Sequence, residues 1–581
     1  MRGAPTTDAH RAARHTAASD AFRAARDLLL RHRGDLGAAV AEFRWPRPAH
    51  FNWALEWFDV VAAGNTAPAL RLLDRAGGAQ DISYEELSLR SDAVAVWLTR
   101  LGVARGDRLM VALGTQRELW EVLLAALKMG AVVVPCHPEL TAVQAADRVG
   151  RGRIRHLVCR ADVVEAFAGT DVPGVRIAVP GDVPGGVPGG VPGGVPGWTD
   201  YRDSDRECAR FVPDRPTPAD DVAFCYFTSG TTSAPKLVAH THTSYPVGHL
   251  SGLYWNGLLP GDLHVNVSSP GWAKHSWSSL FVPWNAQATV VALPDGPLDA
   301  AQVPRVLRDQ EATSFCAPPS VWQQLRPHLG AALPALREAT SAGEPLAAGL
   351  ADEVLRSWGV RVRDGYGQTE TTALIGTTPG TEPRPGLLGT PLPGYRISLR
   401  DPHSGEPGDS GEICVELDGE RPLGVMAGYL DDPERTERAL GRGWYATGDL
   451  AERTPDGWIK VLGRRDDVFK SYGHRVSPYE AEAALRSHPA VADLAVVPVP
   501  DAAAGLLPLA VVVPAAGRTA SPELAAELLA HCARTLSPVG RPTQVEFTAE
   551  LPRTTSGKVR RREVRERMGS TSPDTDEEFT T

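Results

Sequence analysis

Between Ala69 and Pro135 the apolar residues follow two patterns in turn, short continuous runs and longer stretches with helical spacing. Short apolar runs predict strands, and longer stretches with apolar residues at helical spacing predict helices. The region contains strand-like runs at Leu70–Leu73, Asp107–Leu113 and Ala131–Pro135, and helix-like runs at Tyr84–Leu101 and Leu119–Lys128. Such alternation is typical of an α/β domain built on a largely parallel sheet.

The pattern continues beyond residue 220 and then changes twice. Further strand-like runs lie at Val222–Phe227, Thr289–Leu293, Thr313–Cys316 and Val360–Arg363. Between Gly386 and Asp449, short runs such as Gly411–Leu417 separated by Gly and Pro turns predict a β-barrel-like subdomain. Beyond the charged link Arg464–Ser471, a small α+β domain is expected from Ser477–Ser487 (helix), Val491–Val499 and Leu509–Val513 (strands) and Pro522–Leu536 (helix).

These changes in pattern give the expected domain boundaries. Residues 1–18, rich in Ala, Thr, His and Arg, are expected to form a disordered tail, followed by a helix capped at Ser19 and Asp20. We expect an N-terminal domain over 19–465, a C-terminal domain over 466–569 and a disordered acidic tail over 570–581. Val-Pro-Gly-Gly repeats over 183–197 predict a flexible surface loop, with a partner-binding loop as the less favoured alternative.

Composition narrows the function classes. The chain has 581 residues, of which 43% are hydrophobic and 22% charged, as is ordinary for soluble globular proteins. Its net charge of −10 gives no electrostatic support for nucleic-acid binding. The seven cysteines include no Cys-x-x-Cys pair, which disfavours a zinc knuckle or a disulfide framework. No run approaches a membrane helix and no hydrophobic signal core is present, so a cytoplasmic location is expected.

The first candidate for chemistry is Thr228–Lys236, directly after the predicted strand Val222–Phe227. Small residues let backbone N–H groups converge on an anion, hydroxyls add donors, and a lysine adds a mobile positive charge. The segment is therefore interpreted as a polyphosphate-binding loop, although a plain surface turn would have the same composition. It is not the common nucleotide P-loop, because Gly-x4-Gly-Lys-Ser/Thr does not occur in the chain.

Five further motifs follow in order. Asp364–Glu370 lies just beyond a predicted strand, where parallel sheets place ligands; its aromatic ring suits a purine and its carboxylate suits Mg²⁺. Gly343–Pro345 is a tight turn, and Tyr445–Asp449 ends in a carboxylate suited to a ribose diol. The last two are Gly463–Arg475 and Pro552–Lys558. Taken singly, each is equally well interpreted as a surface turn or a solvated charge.

In this order, the six motifs resemble those of the adenylate-forming superfamily, which includes acyl-CoA synthetases, carrier-protein adenylation domains and luciferases. The resemblance extends from about Phe51 to Arg562. Phe51–Ala54 and Ser269–Lys274 are similar to the medium-chain acyl-CoA synthetase branch. In this family a carboxylate attacks the α-phosphorus of ATP, giving acyl-AMP and pyrophosphate, and a thiol then displaces AMP. The resemblance thus implies ATP, Mg²⁺ and coenzyme A, with a medium-chain, branched or aryl acid as substrate.

The resemblance also assigns roles to residues of the ATP site. It places the β- and γ-phosphates against Thr228, Ser229, Gly230, Thr231, Thr232, Ser233 and Lys236. It places adenine against Gly343, Glu344, Pro345, Asp364, Gly365, Tyr366, Gly367 and Gln368, with Tyr366 stacking. Thr369 faces the α-phosphate, Glu370 coordinates Mg²⁺, and Asp449 and Arg464 bind the ribose.

The remaining roles concern catalysis, the thiol and the acid. Lys558 bridges the substrate carboxylate and ATP, and Arg475 reaches the phosphates or that carboxylate. Asp466 matches the hinge about which the small domain rotates between half-reactions. Tyr472, Gly473 and His474 match the lining of the tunnel for coenzyme A, whereas Trp272 and Lys274 match the acyl pocket. Trp272 is equally well interpreted as a core tryptophan.

Two departures from the family pattern leave the thiol acceptor open. Ala502–Gly505 lacks the charged residue that relatives place before that glycine, and Arg541–Thr543 differs from their aromatic-Pro-basic pattern. The leading hypothesis is a carboxylate–CoA ligase. A ligase that loads a separate acyl carrier protein is the second, and an inactive nucleotide-binding regulator is the third. The presence of Lys236, Glu370, Asp449, Arg475 and Lys558 disfavours the third.

Overall fold

The computed structural model describes residues 14–181, 196–228, 236–296, 298–344, 346, 349–472, 474–536, 538, 540–553 and 559–569, with only the backbone of Arg475. The acidic tail and nearly all of the Val-Pro-Gly-Gly segment lie outside these residues. Within them, the predicted fold class is confirmed: a large α/β region built on parallel sheets precedes a small α+β unit.

The first large sheet has eight strands, and five of its seven pairings, from the third strand to the far edge, are parallel. In spatial order its strands are Gly428–Tyr429, Lys236–Thr241, Val222–Thr228, Val132–Pro135, Arg108–Ala112, His156–Arg160, Arg176–Val179 and Thr199–Asp200. The first three strands pair antiparallel at one edge. Each predicted strand of this sheet is present, with its ends shifted by one residue at most.

The second large sheet has nine strands and a parallel centre with antiparallel edges. Its strands in order are Thr390–Pro391, Ala373–Gly376, Val362–Gly367, Glu338–Ala342, Ser314–Ala317, Leu263–Asn266, Thr289–Ala292, Pro68–Leu73 and Ala79–Ser83. Glu338–Ala342 and Val362–Gly367 are parallel neighbours, so the segments that follow them leave the same edge of the sheet.

The predicted β-barrel-like subdomain is an open antiparallel sheet rather than a closed barrel, within the described residues. Its five strands in order are Pro407–Gly408, Ile397–Arg400, Ser410–Glu416, Trp444–Arg453 and Ile459–Arg464. The pairing ends at Pro407–Gly408 on one side and at Ile459–Arg464 on the other. Short strands with Gly and Pro turns have the same sequence pattern in an open sheet and in a barrel, so the sequence could not distinguish the two.

Helices cover the two large sheets. Their bounds are Ala17–Arg31, Leu36–Glu42, Asp59–Ala62, Tyr84–Arg100, Arg117–Met129, Ala142–Gly152, Leu250–Asn256, Ala273–Ser276, Val282–Ala286, Val303–Asp309, Pro319–Leu325, Leu350–Trp358 and Pro433–Leu440. Single turns of π-helix at Ala54–Phe58 and Trp277–Phe281, and of 3₁₀-helix at Ala161–Phe167, Tyr201–Arg206 and Arg326–His328, complete this region. None of the helices in the described part of the chain is long and apolar enough to cross a bilayer.

Buried tryptophans tie the helical layer to the strands. Trp284 donates from Nε1 to the carbonyl of Ala69 at 2.9 Å, and Trp57 donates to the carbonyl of Trp284 at 3.1 Å. Trp53 donates to Oδ1 of Asn285 at 2.8 Å. All three side chains are fully buried, and each buried indole N–H has a partner, so the large apolar rings pack without an unsatisfied donor.

The C-terminal unit is built around one three-stranded sheet. Strands Val491–Asp501 and Gly505–Pro514 pair antiparallel, and Gln544–Phe547 adds in parallel. Helices Pro478–Arg486, Pro522–Thr535 and Arg561–Arg567 accompany it, and a separate ribbon pairs Phe469–Ser471 with His474–Val476. The predicted helices and strands of this unit are present with slightly longer strands.

The N-terminal boundary differs from the expectation. The helix begins at Ala17 and is capped by Thr16, not by Ser19 and Asp20, and Arg14 is already buried. Arg14 contacts Asp59 and lies 3.2 Å from Asp92, inside the domain. Residues 14–18 are therefore ordered, because partners far along the chain pair with Arg14; sequence composition does not show such partners. Residues 1–13 lie outside the described residues.

We predict that Asp92→Ala lowers the free energy of unfolding by about 3–5 kcal/mol. Asp92 is fully buried and lies 2.8 Å from Lys128 and 3.1 Å from Arg210, besides Arg14. Its loss leaves Asp59 as the single described anion for the two buried cations Arg14 and Lys128. Urea unfolding followed by tryptophan fluorescence measures the change. The control Asp147→Ala removes an exposed pair with Arg151 and should cost under about 0.5 kcal/mol; equal effects would contradict the prediction.

Candidate active site

Asp449 is the centre of a hydrogen-bonded cluster between two sheets. Its Oδ2 accepts from the Tyr366 hydroxyl at 2.6 Å and from Nε2 of Gln368 at 2.8 Å. Nη1 of Arg464 lies 3.4 Å from the same oxygen. Tyr366 belongs to the nine-stranded sheet, while Asp449 and Arg464 are paired residues on neighbouring strands of the five-stranded sheet. Within the described residues, no donor contacts Oδ1 of Asp449.

The turn before Asp449 explains why its carboxylate points into this cluster. Gly448 has a φ of +78°, which a side chain would strain, and a Cβ there would press on the Arg464 guanidinium. Its N–H donates to Oε1 of Glu412 at 2.7 Å. Thr447 donates from Oγ1 to the carbonyl of Ile413 at 2.9 Å and accepts from the Asp449 N–H at 3.2 Å. Hydrogen bonds from Gly448 and Thr447 to the neighbouring strand therefore fix the conformation of the turn.

The Asp449 charge raises the pKa values of its neighbours in the cluster. Burial acts to lower the pKa of Arg464, but Asp449 and then Tyr366 outweigh it, so the pKa lies above the ordinary value. Burial first, and the Asp449 charge second, raise the pKa of Tyr366, which keeps its hydroxyl a donor. Gln368 is fixed by two more bonds, to the Thr447 carbonyl and from the Tyr445 hydroxyl, both at 2.8 Å. The carboxylate is thus presented in one orientation.

A second group of charged side chains surrounds Tyr429. Lys236 begins the strand paired with Val222–Thr228, opposite Thr228, and its Nζ lies 5.2 Å from the centre of the Tyr429 ring. The Tyr429 hydroxyl donates to Oε1 of Glu370 at 3.2 Å. Burial lowers the pKa of Lys236, and the nearby Glu370 opposes this shift. The Lys236 ammonium therefore lies over the Tyr429 ring, and the Glu370 carboxylate lies at the hydroxyl of the same residue.

The donor set around Glu370 suits a magnesium ion. Mg²⁺ is usually held by one or two carboxylates together with substrate phosphates and waters. Among the described residues one hydrogen bond reaches the Glu370 carboxylate, and Lys236 places a cation on the ring of the same tyrosine. Among the described residues, no group of three or more His, Cys, Asp and Glu side chains could hold a metal by itself. A metal shared with a bound phosphate therefore fits these residues better than an all-protein site.

The residues expected around adenine lie at the same sheet edge. Gly343 and Glu344 follow the strand Glu338–Ala342, and Gly343 has a φ of +113°. Gly365 packs directly on the Trp255 indole, leaving no room for a Cβ. Burial raises the pKa of Asp364 to about 7, and its Oδ1 accepts from the Gly365 N–H at 3.0 Å. Gly367 likewise lies against the backbone of Thr372.

Thr369 is connected to the predicted acyl pocket by a short chain of contacts. Its carbonyl accepts from Nε2 of the buried His240 at 2.7 Å, and the His240 ring lies 4.2 Å from that of Tyr245. The Tyr245 hydroxyl donates to the carbonyl of Ala273 at 3.2 Å. Ala273 stands between Trp272 and Lys274, so these contacts connect the segment of both predicted acyl-pocket residues to Thr369 through two intervening side chains. Trp272 is only half-buried, at the start of the helix Ala273–Ser276.

The expected hinge and thiol residues lie where the five-stranded sheet meets the C-terminal unit. Asp466 follows Arg464–Arg465, where the Arg465 N–H donates to the Gly448 carbonyl at 2.8 Å. Tyr472 has a φ of +49°, is 57% exposed, and donates from its N–H to the Ala504 carbonyl at 3.1 Å. His474 pairs with Ser471 in the ribbon. A positive φ is energetically unfavourable for an aromatic residue, and residues in such conformations cluster at functional sites.

Some predicted site residues cannot be placed. Residues 229–235, which include Ser229–Ser233, lie outside the described residues, as do Pro345, Gly473, Lys558 and the Arg475 side chain. Three contributors were missed by sequence reasoning: Tyr429, Glu412 and His240. His240 carried a usable signal, since it is a polar residue inside the apolar strand Lys236–Thr241. Tyr429 and Glu412 carried none, because their partners are remote in sequence.

The similarity to known proteins extends over nearly the whole chain. The family model of the AMP-binding enzyme matches residues 58–430, and that of the AMP-binding enzyme C-terminal domain matches residues 480–558. 4-Hydroxybutyrate–CoA ligase 1 of Metallosphaera sedula is 37% identical over 89% of this chain and 90% of its own. The mitochondrial acyl-coenzyme A synthetase ACSM3 of Mus musculus is 32% identical over 90% and 92%. The crystal structure of ATP-bound MatB from Rhodopseudomonas palustris has a TM-score of 0.74 and 27% identity, covering 86% of this chain and 96% of MatB.

We predict that acid destabilises the protein in part through His240. Burial lowers its pKa to about 4, so in the folded state the ring stays neutral where the unfolded ring, at about 6.5, binds a proton. The contribution of the neutral His240 ring to the free energy of unfolding is then complete above about pH 6.5 and is lost as the pH drops towards 4. Urea midpoints from pH 7.5 to 4.5 should fall less steeply for His240→Asn.

Exposed His328 provides the control for this titration. His328→Asn should leave the slope of stability against pH unchanged. If His240→Asn and the wild-type protein lose stability with the same slope, the neutral buried ring does not contribute as described.

Proposed function

The chain belongs to the AMP-binding enzyme family, in its medium-chain acyl-CoA synthetase-like branch, and on that premise we propose that it is an ATP-dependent acid–thiol ligase. It would activate a carboxylic acid as acyl-AMP with release of pyrophosphate and transfer the acyl group to coenzyme A. The observation that carries the proposal is the Asp449 cluster, which presents one free carboxylate oxygen beside an aromatic ring, a glutamine and an arginine.

We propose that this cluster binds the nucleoside. Oδ2 of Asp449 is held by its three protein neighbours, so Oδ1 is available to a ribose hydroxyl. The Tyr366 ring is fixed through its own hydroxyl, which orients its face for stacking on adenine. Gly365 and Gly367 let backbone lie close to neighbouring atoms, and Gly343, Glu344 and Pro345 are proposed to read the adenine edge together with Asp364.

Adenylation requires charge neutralisation more than covalent chemistry from the protein. A carboxylate oxygen of the acid forms a bond to the α-phosphorus while the bond to the pyrophosphate oxygen breaks and pyrophosphate leaves with its electron pair. Lys236, Thr228 and Ser229–Ser233 are proposed to hold the leaving phosphates, and Thr369 the α-phosphate. Mg²⁺, held at Glu370, would supply positive charge to the phosphates. Lys558 and Arg475 are proposed to approach from the C-terminal domain.

The second step needs a thiol at the same carbonyl. The sulfur attacks the acyl carbon as its proton is lost, and AMP departs with the electrons of the acyl–oxygen bond. We propose that the boundary between residues 465 and 466 separates two domains and that rotation about Asp466 exchanges Lys558 for the thiol path past Tyr472, Gly473 and His474. A cytoplasmic location, where ATP and coenzyme A are both present, suits this reaction.

The acyl acceptor and the acid are proposed with the help of the relatives. The names of the similar proteins from Metallosphaera and mouse specify coenzyme A ligation, which favours coenzyme A over a separate acyl carrier protein. The medium-chain, branched and aryl acids remain the proposed substrate range. Trp272 and Lys274 are proposed to line the acyl pocket, on the contacts that connect their segment to Thr369.

Pyrophosphate release with ATP and Mg²⁺ across a panel of acids, with and without coenzyme A, tests the function. The panel runs from acetate to dodecanoate and includes branched acids, benzoate and salicylate. We expect continuous turnover of at least one acid only when coenzyme A is present, with the matching thioester found by mass spectrometry. Turnover that needs a phosphopantetheinylated carrier protein instead would establish the alternative acceptor.

We predict that Asp449→Ala weakens ATP binding about 10–100-fold, because a hydrogen bond to a charged group contributes about 1.5–3 kcal/mol. Isothermal titration with a non-hydrolysable ATP analogue measures the change. Asp456→Ala is the matched control, since Asp456 lies exposed in the turn between the same two strands. Unchanged binding by Asp449→Ala would exclude Asp449 from the nucleoside site.

We also predict that the two half-reactions can be separated by mutation. Lys558→Ala should lose most of the adenylation rate, about 100-fold or more, but should still convert supplied acyl-AMP and coenzyme A to thioester. Gly473→Leu should have the opposite effect by blocking the thiol path. Both rates are measured in single-turnover assays. Equal loss of both steps in Lys558→Ala, or normal thioester formation in Gly473→Leu, would refute these assignments.

A further inference from the structure

Residues 266–277 connect the strand Leu263–Asn266 to the short helices after it, and they contain a concentration of buried polar atoms. Six of these atoms find no hydrogen-bond partner in the part of the chain that the structure describes: Asn266 Oδ1, Ser268 Oγ, Ser269 Oγ, Lys274 Nζ, His275 Nδ1 and Trp277 Nε1. Buried polar groups are normally paired, because an unmade bond is costly. So many unpaired groups in twelve consecutive residues indicate space that a polar ligand occupies.

Lys274 is the charged member of this group. Its Nζ is buried, and no described carboxylate lies within ion-pair distance of it. The neighbouring His264 cannot serve as its acceptor, because its two ring nitrogens already pair with Ser314 at 2.9 Å and Ser278 at 3.0 Å. Burial, with the charge of Lys274 adding to it, lowers the pKa of His264 to about 3. A buried ammonium without a partner is strongly disfavoured, so it calls for an oxygen from outside the chain.

The walls around this segment are aromatic and closely packed. Trp277 lies 5.6 Å from the Trp255 ring and stacks on His249 at 5.9 Å. Gly252, on the helix Leu250–Asn256, packs on Trp277 so closely that a Cβ would press on the indole. The contacts through Tyr245 and His240 place the same segment near Thr369. The segment thus combines flat apolar neighbours with a cation and several polar atoms that find no partner among the described residues, and a plain hydrocarbon chain would leave these atoms unpaired.

Resting on the proposed function, we propose that the acid activated by this chain carries a second oxygen function, a hydroxyl or a carboxylate, at the far end of its acyl chain, and that Lys274 binds this oxygen. Lys274 is then a specificity-determining residue. A site built to pair a substrate oxygen rejects the analogue without it strongly, because the buried groups of the site are left unpaired. A hydrophobic pocket gives much weaker discrimination between chain lengths.

Matched substrate pairs test this inference. Each ω-hydroxy acid with a chain of four to eight carbons is compared with the alkanoate of equal heavy-atom count and with the corresponding dicarboxylate, measuring kcat/KM for acyl-CoA formation. We expect the preferred oxygenated acid to exceed its alkanoate by 30-fold or more. The hydroxy and dicarboxylate arms identify which oxygen Lys274 binds.

Lys274→Met should reduce this preference to less than threefold, through a fall in kcat/KM for the oxygenated acid that exceeds any change for the alkanoate. Lys274→Gln should keep part of the preference for a hydroxy acid and lose that for a dicarboxylate. Arg305→Met removes an exposed cation and is the charge-matched control, expected to behave as the wild-type protein. Because Lys274 Nζ has no partner among the described residues, the melting temperature of Lys274→Met should be unchanged or higher.

Three results would overturn the inference. Equal use of alkanoates and oxygenated acids by the wild-type protein excludes a second oxygen. A uniform fall in kcat/KM for all acids in both Lys274 variants assigns Lys274 to the reacting carboxylate instead. A lower melting temperature in both variants assigns it a structural partner. Thioester formation from alkanoates alone would leave the proposed function intact, whereas no thioester from any acid would overturn both.

Discussion

The carboxylate of Asp449 joins two separate sheets of the large domain. The nine-stranded sheet supplies Tyr366 and Gln368, and the five-stranded sheet supplies Asp449 itself and Arg464. One oxygen receives donors from both sheets, so the sheets are held in register at the site. The other oxygen remains for a ligand. The positions of the Tyr366, Gln368 and Arg464 side chains at the proposed nucleoside site depend on this one carboxylate.

Two further groups of side chains extend from this cluster. Glu370 and Tyr429 hold negative charge and a hydroxyl next to Lys236, so phosphate and metal have partners beyond the nucleoside. The contacts from Thr369 through His240 and Tyr245 then reach the segment of Trp272 and Lys274. On the proposed assignments, the nucleoside, phosphate and acyl sites are connected, as transfer between an acid and a nucleotide requires.

Local patterns in the sequence predicted the elements but not their partners. The strands around residues 70, 110, 133 and 224 were predictable because apolar runs and intervening amphipathic helices are properties of single segments. The motifs around Tyr366 and Asp449 were identified from their residue types and from an order along the chain that resembles one family, and their roles stay predictions. Pairing between remote residues was not: Arg14 with Asp92, Tyr429 with Glu370, and His240 with Thr369 involve separations of 59 to 129 residues. An open sheet and a barrel also share one local pattern.

The most direct measurement of the central claim is acid-dependent exchange of radiolabelled pyrophosphate into ATP, in the absence of any thiol. The reaction reports formation of acyl-AMP at the nucleotide site and nothing later. We expect exchange with at least one acid in the wild-type protein and its loss in Asp449→Ala, with Asp456→Ala unaffected. Exchange that persists in Asp449→Ala, or no exchange with any acid, would contradict the account.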